Sequence, residues 1–255
     1  MPSIGIVPFV GAFTSLLEAD TRNFGLQAAV SRAVKRSGSR ISVVNADYEL
    51  LGSGPVLLVA NHPHSAEVLA LIGALPDRRD IYVVISQKFT TAGQHIGSHC
   101  IPVYLSHHHQ EGRPRTVAGR VMDFFLRPAR LTPEQEHELN IRSIDDAALR
   151  LNRGSLVIIF PEKRFGERRW QPGLGHLLMK LEPEVKLVFA HISGTSTADY
   201  LRIIPKAGKM LPRITVHFHE PLSIGGGGSG MHAREIVSKL EAYYMQWAAS
   251  TKARS

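Results

Sequence analysis

Short apolar runs of strand length alternate with helix-period patterns along most of this chain, and that alternation leaves few architectures open. The strand-like runs cover residues 56–60, 81–86, 101–104, 156–160, 185–192 and 214–218, and helical spacing covers 66–75, 116–126, 144–152, 174–181 and 233–249. Strand and helix in turn predict an α/β sheet with helices on its faces. With 255 residues, 44% of them hydrophobic, the chain can bury one full core. The expected organisation is a helical segment over residues 1–40 followed by a single domain over 41–255. Residues 106–142 are the least orderly stretch, where Pro114, Pro128 and Pro133 surround the apolar set Val121, Met122, Phe124, Phe125 and Leu126. Either a connecting helix with loops or a surface flap fits there.

No segment reaches the roughly 18 apolar residues that a spanning helix needs. The nearest approach is residues 4–17, uncharged but interrupted by Pro8 and Gly11 and without the basic leader or cleavage site of a signal peptide. Phe24, Leu26, Ala29, Val30, Ala33 and Val34 then fall at helical spacing, with Arg22, Arg32, Lys35, Arg36 and Arg40 around them. Such a helix either lies on an anionic bilayer or covers the sheet. Thirty Lys+Arg against 22 Asp+Glu favour an anionic partner: nucleic acid, a phospholipid surface or an acidic substrate. Nucleic acid is not expected, because no recognised binding motif or aromatic-basic interleaving accompanies the charge. Cys100, the single cysteine, can form no intrachain disulfide, and a buried structural thiol is expected.

Two polar clusters follow predicted strands, where open α/β sheets collect their ligands. In the first, Val59-Ala60-Asn61-His62-Pro63-His64-Ser65-Ala66-Glu67, Ser65 is a good N-cap, which leaves His62 in the turn and Glu67 in the first helical turn. A carboxylate there is held ionised by the helix N-terminus, and bonded to one imidazole nitrogen it fixes the tautomer and raises the basicity of the other. That is an oriented general base, suited to taking a proton from a substrate hydroxyl. Ser65 makes a poor nucleophile, since its hydroxyl is committed to capping and no nucleophile-elbow glycines flank it. The second cluster, Glu162, Lys163 and Arg164 with Arg168 and Arg169 beyond, supplies an acid for a hydroxyl and cations for phosphate or carboxylate.

These motifs, with Gly97, Ile101-Pro102-Val103, Phe160-Pro161-Glu162 and the late strand from Lys186 to Thr195, resemble the four ordered blocks of the glycerolipid acyltransferase family, from roughly residue 42 to 222. That family comprises the 1-acylglycerol-3-phosphate and glycerol-3-phosphate acyltransferases. The resemblance implies a mixed, mostly parallel sheet and transfer of a fatty acyl group to a hydroxyl of a glycerolipid or other lyso-lipid. Acyl-CoA or acyl carrier protein would be the donor and co-substrate, with no bound cofactor and no metal. It implies His62 as base, Glu67 as its orienting acid, and Asn61, Ser65, Glu162, Lys163 and Arg164 as substrate-binding residues. The enzyme would be cytoplasmic and peripheral on the inner face of the cell membrane.

Three departures stand beside the match. Glu67 replaces the family's Asp, which lengthens the arm by a methylene, as the related lipid A acyltransferases also do. Tyr104-Leu105 follows Ile101-Pro102-Val103 where the family places a phosphate-binding Arg. The third block reads Phe160-Pro161-Glu162-Lys163-Arg164-Phe165 in place of Phe-Pro-Glu-Gly-Thr-Arg. The second and third weaken the case for glycerol phosphate as acceptor, and they motivate an alternative in which the chain is a catalytically inactive relative that binds lipid or a partner. Among the other candidates, His95, His99, His107-His108-His109, His217 and His219 supply no cluster with three zinc ligands and an obvious fourth. The run Gly225 to Gly230 lacks a phosphate loop's Lys-Ser/Thr and is expected to be a linker. Tyr243, Tyr244 and Trp247 are expected to serve packing alone.

Overall fold

Residues 7–64, 66–104, 131–162, 169–224 and 231–252 are described by the computed structural model. Among them one eight-stranded sheet is built from β1 (Ile41–Val44), β2 (Val56–Ala60), β3 (Ile81–Ser86), β4 (Cys100–Val103), β5 (Leu156–Ile159), β6 (Lys186–Ser193), β7 (Ile214–Phe218) and β8 (Leu222–Ser223). The strand order is β1-β7-β6-β2-β5-β3-β4, with β8 paired to β6. From β6 to β4 all strands run parallel; β7 is antiparallel to β6, and β1 is parallel to β7. The fold is therefore a single α/β domain with a mixed, mostly parallel sheet flanked by helices, as expected.

Every residue of β2 is buried, because a strand covered by helices on both faces sends alternate side chains into two cores. Val56, Leu58 and Ala60 pack with Ala29 and Val30 of α2 (Leu26–Ser37) and Leu71 and Ile72 of α4 (Glu67–Ala74). Leu57 and Val59 pack on the other face with Leu151 of α6 (Pro133–Asn152), Leu174 of α7 (Gly173–Leu178) and Val237 of α8 (Ala233–Lys252). The remaining helices are α1 (Val7–Phe24), α3 (Tyr48–Ser53) and α5 (Gln94–Ser98), with 3-10 turns at Gln87–Thr91, Asp199–Ile203 and Ala207–Met210.

Several expectations need correction. Pro8 and Gly11 do not interrupt the N-terminal segment; Pro8 lies in the first turn of α1, where its missing N–H has no intrahelical partner to lose. Gly25, at φ 87°, makes the corner between α1 and α2, a conformation that only glycine adopts at little cost. The apolar side of α2 covers α4 and the sheet, so packing uses the face that a bilayer would have taken. The α6 helix begins at Pro133 and not at residue 144, because Thr132 and Gln135 form a reciprocal capping box with Pro133 in the first turn. The helix after the first polar cluster runs from Glu67 to Ala74, with Ala66 as its N-cap residue. Ser65, Lys163, Arg164, the His107 to His109 run, the predicted helix 116–126 and Gly225 to Gly230 lie outside the described residues.

Candidate functional site

Parallel register brings the two polar clusters together. Because β2 and β5 are paired neighbours, with Val59 opposite Ile159, Asn61-His62 and Phe160-Pro161-Glu162 leave the sheet side by side at its carboxyl edge. On the other flank β6 pairs Ala190 with Ala60, so Ser193-Gly194-Thr195 opens onto the same edge. Gly194 turns the chain there at φ 80°, and a Cβ would collide with the Arg213 carbonyl oxygen. Backbone packing thus requires glycine immediately before Thr195.

His62 and Glu67 face each other, Nδ1 to Oε2, at 3.3 Å, with the imidazole 24% exposed and the carboxylate fully buried. Burial works to raise the Glu67 pKa, but it is outweighed by the His62 hydrogen bond, the Thr195 hydroxyl, Glu67's own backbone N–H and the His62 charge, and the net direction is downward. An ionised carboxylate on Nδ1 selects the tautomer whose basic nitrogen is Nε2. The Phe160 ring, 4.8 Å from the imidazole centroid, flanks it with an apolar face.

The turn that carries His62 is fastened on both sides. Asn61 Nδ2 donates to the Ile192 carbonyl at 2.9 Å, and Ile192 N–H donates to Asn61 Oδ1 at 2.7 Å, so the carboxamide extends the β2–β6 ladder by one rung. It is engaged by backbone, where substrate contact was expected of it. Glu162 accepts the His62 backbone N–H at 3.4 Å, and the Glu162–Trp170 bridge with the Gln171 N–H to Pro161 carbonyl bond of 2.8 Å ties Pro161-Glu162 to Trp170-Gln171. The Tyr244 hydroxyl, from α8, contacts His191 Nδ1 at 2.9 Å.

Elsewhere the candidates disperse. Tyr104, which stands in place of a cation, is clamped by Asn140: its N–H donates to Asn140 Oδ1 and its carbonyl accepts from Nδ2, both at 2.9 Å. His95 Nδ1 pairs with Glu18 at 2.8 Å and His99 Nδ1 with the Ile81 carbonyl at 2.7 Å, so these rings stabilise α1 and β3 contacts. His217 lies opposite His191 in the sheet, and burial lowers its pKa. Among the described residues no group of three His, Cys, Asp or Glu could hold a metal ion. Burial pushes the Cys100 thiol up to about 11, the signature of an inert structural thiol. Sequence reasoning missed Thr195 and Tyr244 as site residues. Thr195 had a signal, standing at the end of a motif-bearing strand; Tyr244 had none beyond a core-spaced aromatic.

No protein-family model matches the chain, and no curated protein sequence does. A solved structure, the 1-acyl-sn-glycerophosphate (LPA) acyltransferase PlsC from Thermotoga maritima, is similar with a TM-score of 0.53 and 14% identity, over 96% of each chain. At that identity the likeness is one of fold. The chain therefore has the fold of that acyltransferase along nearly its whole length, which is the architecture that the sequence motifs imply.

Proposed function

We propose that this protein is an O-acyltransferase that moves a fatty acyl group from an acyl-CoA or acyl carrier protein thioester to a hydroxyl of a glycerolipid or other lyso-lipid. The observation that carries the reading is the contact between a fully buried Glu67 carboxylate and His62 Nδ1 at the carboxyl edge of the central strands. His62 Nε2 takes the acceptor's hydroxyl proton as the oxygen attacks the thioester carbonyl. Collapse of the tetrahedral intermediate expels the thiolate, which takes the proton back from the imidazolium. Glu67 stabilises that cation while it exists, and no covalent enzyme intermediate is required. The His62 N–H is held by Glu162, so other donors at this edge serve the oxyanion.

His62→Ala, assayed with labelled acyl-CoA against a panel of lyso-lipids, is expected to lower turnover by about 10²–10⁴-fold. A folded variant with undiminished turnover overturns the reading. The inactive-relative alternative gains from the clamped Tyr104 in place of a cation; the same panel separates the two, since that relative transfers no label in the wild type either.

Peripheral attachment to an anionic bilayer belongs to the same reading. No helix among the described residues is long and apolar enough to cross a membrane. The chain from Gly194 to Arg213 joins the carboxyl end of β6 to the start of β7, and hence lies at the edge that carries His62. It presents Met210, 89% exposed, between exposed Lys206, Lys209 and Arg213. Phe9, Leu16 and Phe24 add exposed apolar side chains on α1. Cations around a projecting apolar side chain suit anionic headgroups over hydrocarbon.

A further inference from the structure

Phe160 follows β5 directly, and the alternation of side chains along a strand places its ring on the same side of the sheet as His62. Ile158 of β5 and Ala60 of β2 belong to one core, shared with α4. Two residues further along each strand the side chains return to that side, as Phe160 and His62. The other side chains that β2, β3 and β5 send into this core are aliphatic, among them Leu58, Val83 and Ile85. An aromatic ring enters only where β5 draws level with the histidine. Its centroid lies 4.8 Å from that of the imidazole, with the two planes inclined at 36°. Rings lying side by side in one plane cannot bring their centroids so close, so the two overlap face to face with an offset. A leucine would cover the same stretch of core equally well. What it lacks is a π face.

That face carries partial negative charge, and a cation lying over it is attracted. A neutral imidazole gains little from this, whereas the imidazolium formed by proton transfer gains more. The attraction therefore grows as the reaction proceeds, which is the condition for an interaction to raise turnover and not merely to bind substrate. Glu67 meets the imidazole at its edge, through Nδ1 at 3.3 Å, and Glu162 holds the His62 backbone N–H. Phe160 contacts what those two leave uncovered, a face of the ring. We propose that Phe160 is a positioning residue for the His62 base: its ring sets the plane of the imidazole and stabilises the imidazolium that forms when the acceptor's proton is taken. The proposal rests on the reading of His62 as base and goes beyond it, by giving that cation a second support independent of the carboxylate.

Phe160→Leu keeps an apolar side chain and removes the π face. It is expected to lower kcat by about 2-fold to 30-fold. The acid limb of the kcat profile against pH, and the midpoint of the His62 ring titration followed by NMR, should both move to lower pH than in the wild type. The sign follows from the loss of a group that favours the protonated ring. Phe160→Tyr restores the π face and should keep the wild-type kcat and titration. Phe160→Met, also apolar and without a ring, should repeat the leucine result and stands in for it where leucine impairs folding. The proposal is overturned if the ringless variants titrate His62 at the wild-type pH, or at a higher one, which would mean that Phe160 acts by excluding water. It is equally overturned if F160Y shifts as they do, which would mark disturbed packing. The ring titration needs no turnover. A wild type without acyl transfer would sink the proposed reaction and leave the Phe160 contact to be judged on that titration.

Discussion

The two ends of the central strands carry buried charge in contrasting ways. At the amino end the Arg78 side chain, 2% exposed, spends all its nitrogens on short bonds: to Asp80 at 2.7 and 2.9 Å, and to the carbonyls of Gly54, Gly154 and Leu51 at 2.7, 2.6 and 3.2 Å. Gly54, Asp80 and Gly154 stand just ahead of β2, β3 and β5, so one guanidinium staples the entry points of three strands. At the carboxyl end the bonds around His62 measure 3.3 and 3.4 Å. Saturated and short at one end, longer and partly exposed at the other, the clusters divide the labour. A guanidinium with every donor used is built for rigidity. Under the proposed reaction the imidazole receives and returns a proton, which needs slack that tightens only when substrate is bound.

Crossed measurements break or sharpen that contrast. The largest effect expected is on activity, from His62→Ala, with the fold retained and a Tm loss smaller than that from Arg78→Ala, because only the buried Glu67 carboxylate loses a partner. Arg78→Ala should do the reverse. It leaves three backbone carbonyls and Asp80 without their donor and should cost on the order of 3–5 kcal/mol in denaturant unfolding, with turnover per folded molecule retained. If Arg78→Ala silences the folded fraction as well, the two ends are coupled and the contrast is wrong.

Glu67→Gln sits between these, since it preserves shape but cannot balance the imidazolium, and a fall in kcat is expected together with an altered pH dependence of stability. The folded-state pKa of Glu67 is depressed, so its contribution to stability is complete above the ordinary carboxylate value and is lost as the pH falls through the lower, folded value. Wild type should therefore lose stability on acidification more steeply than E67Q; parallel pH–stability curves would contradict a Glu67 carboxylate held ionised by its buried contacts. The smallest effect is expected from the double variant Lys206→Glu, Lys209→Glu. It should weaken sedimentation with anionic vesicles and raise KM for an acceptor presented in them, with kcat toward a detergent-dispersed acceptor unchanged. Undiminished vesicle binding would remove this loop from the bilayer-facing surface.

Much of the strand framework was legible because β2, buried on two faces, is written as an unbroken apolar run, while β3 and β7 are rich in β-branched and aromatic residues. Residues 56–60, 81–86 and 214–218 match β2, β3 and β7 to the residue. Strand β1 escaped, since four residues at a sheet edge carry too little pattern and its partner β7 lies far along the chain. The start of α6 was present in Thr132-Pro133-Glu134-Gln135 but was obscured by the prolines and charges around it. Within the site, His62 and Glu67 could be paired from spacing alone, because a strand–turn–helix junction confines both to a few ångströms.

Local chemistry thus pointed to most element types, the carboxyl-edge location of His62 and the acid that faces it, all consequences of periodicity and of short-range chain geometry. Strand order, the reversal of β7 and β1, the use of the Asn61 carboxamide as a ladder rung and the arrival of the Tyr244 hydroxyl behind the site came from the folded arrangement. Those depend on which distant segments share a hydrogen-bond ladder or a core. No local pattern encodes that, since the same aromatic at the same helical spacing would pack equally well with its hydroxyl turned elsewhere.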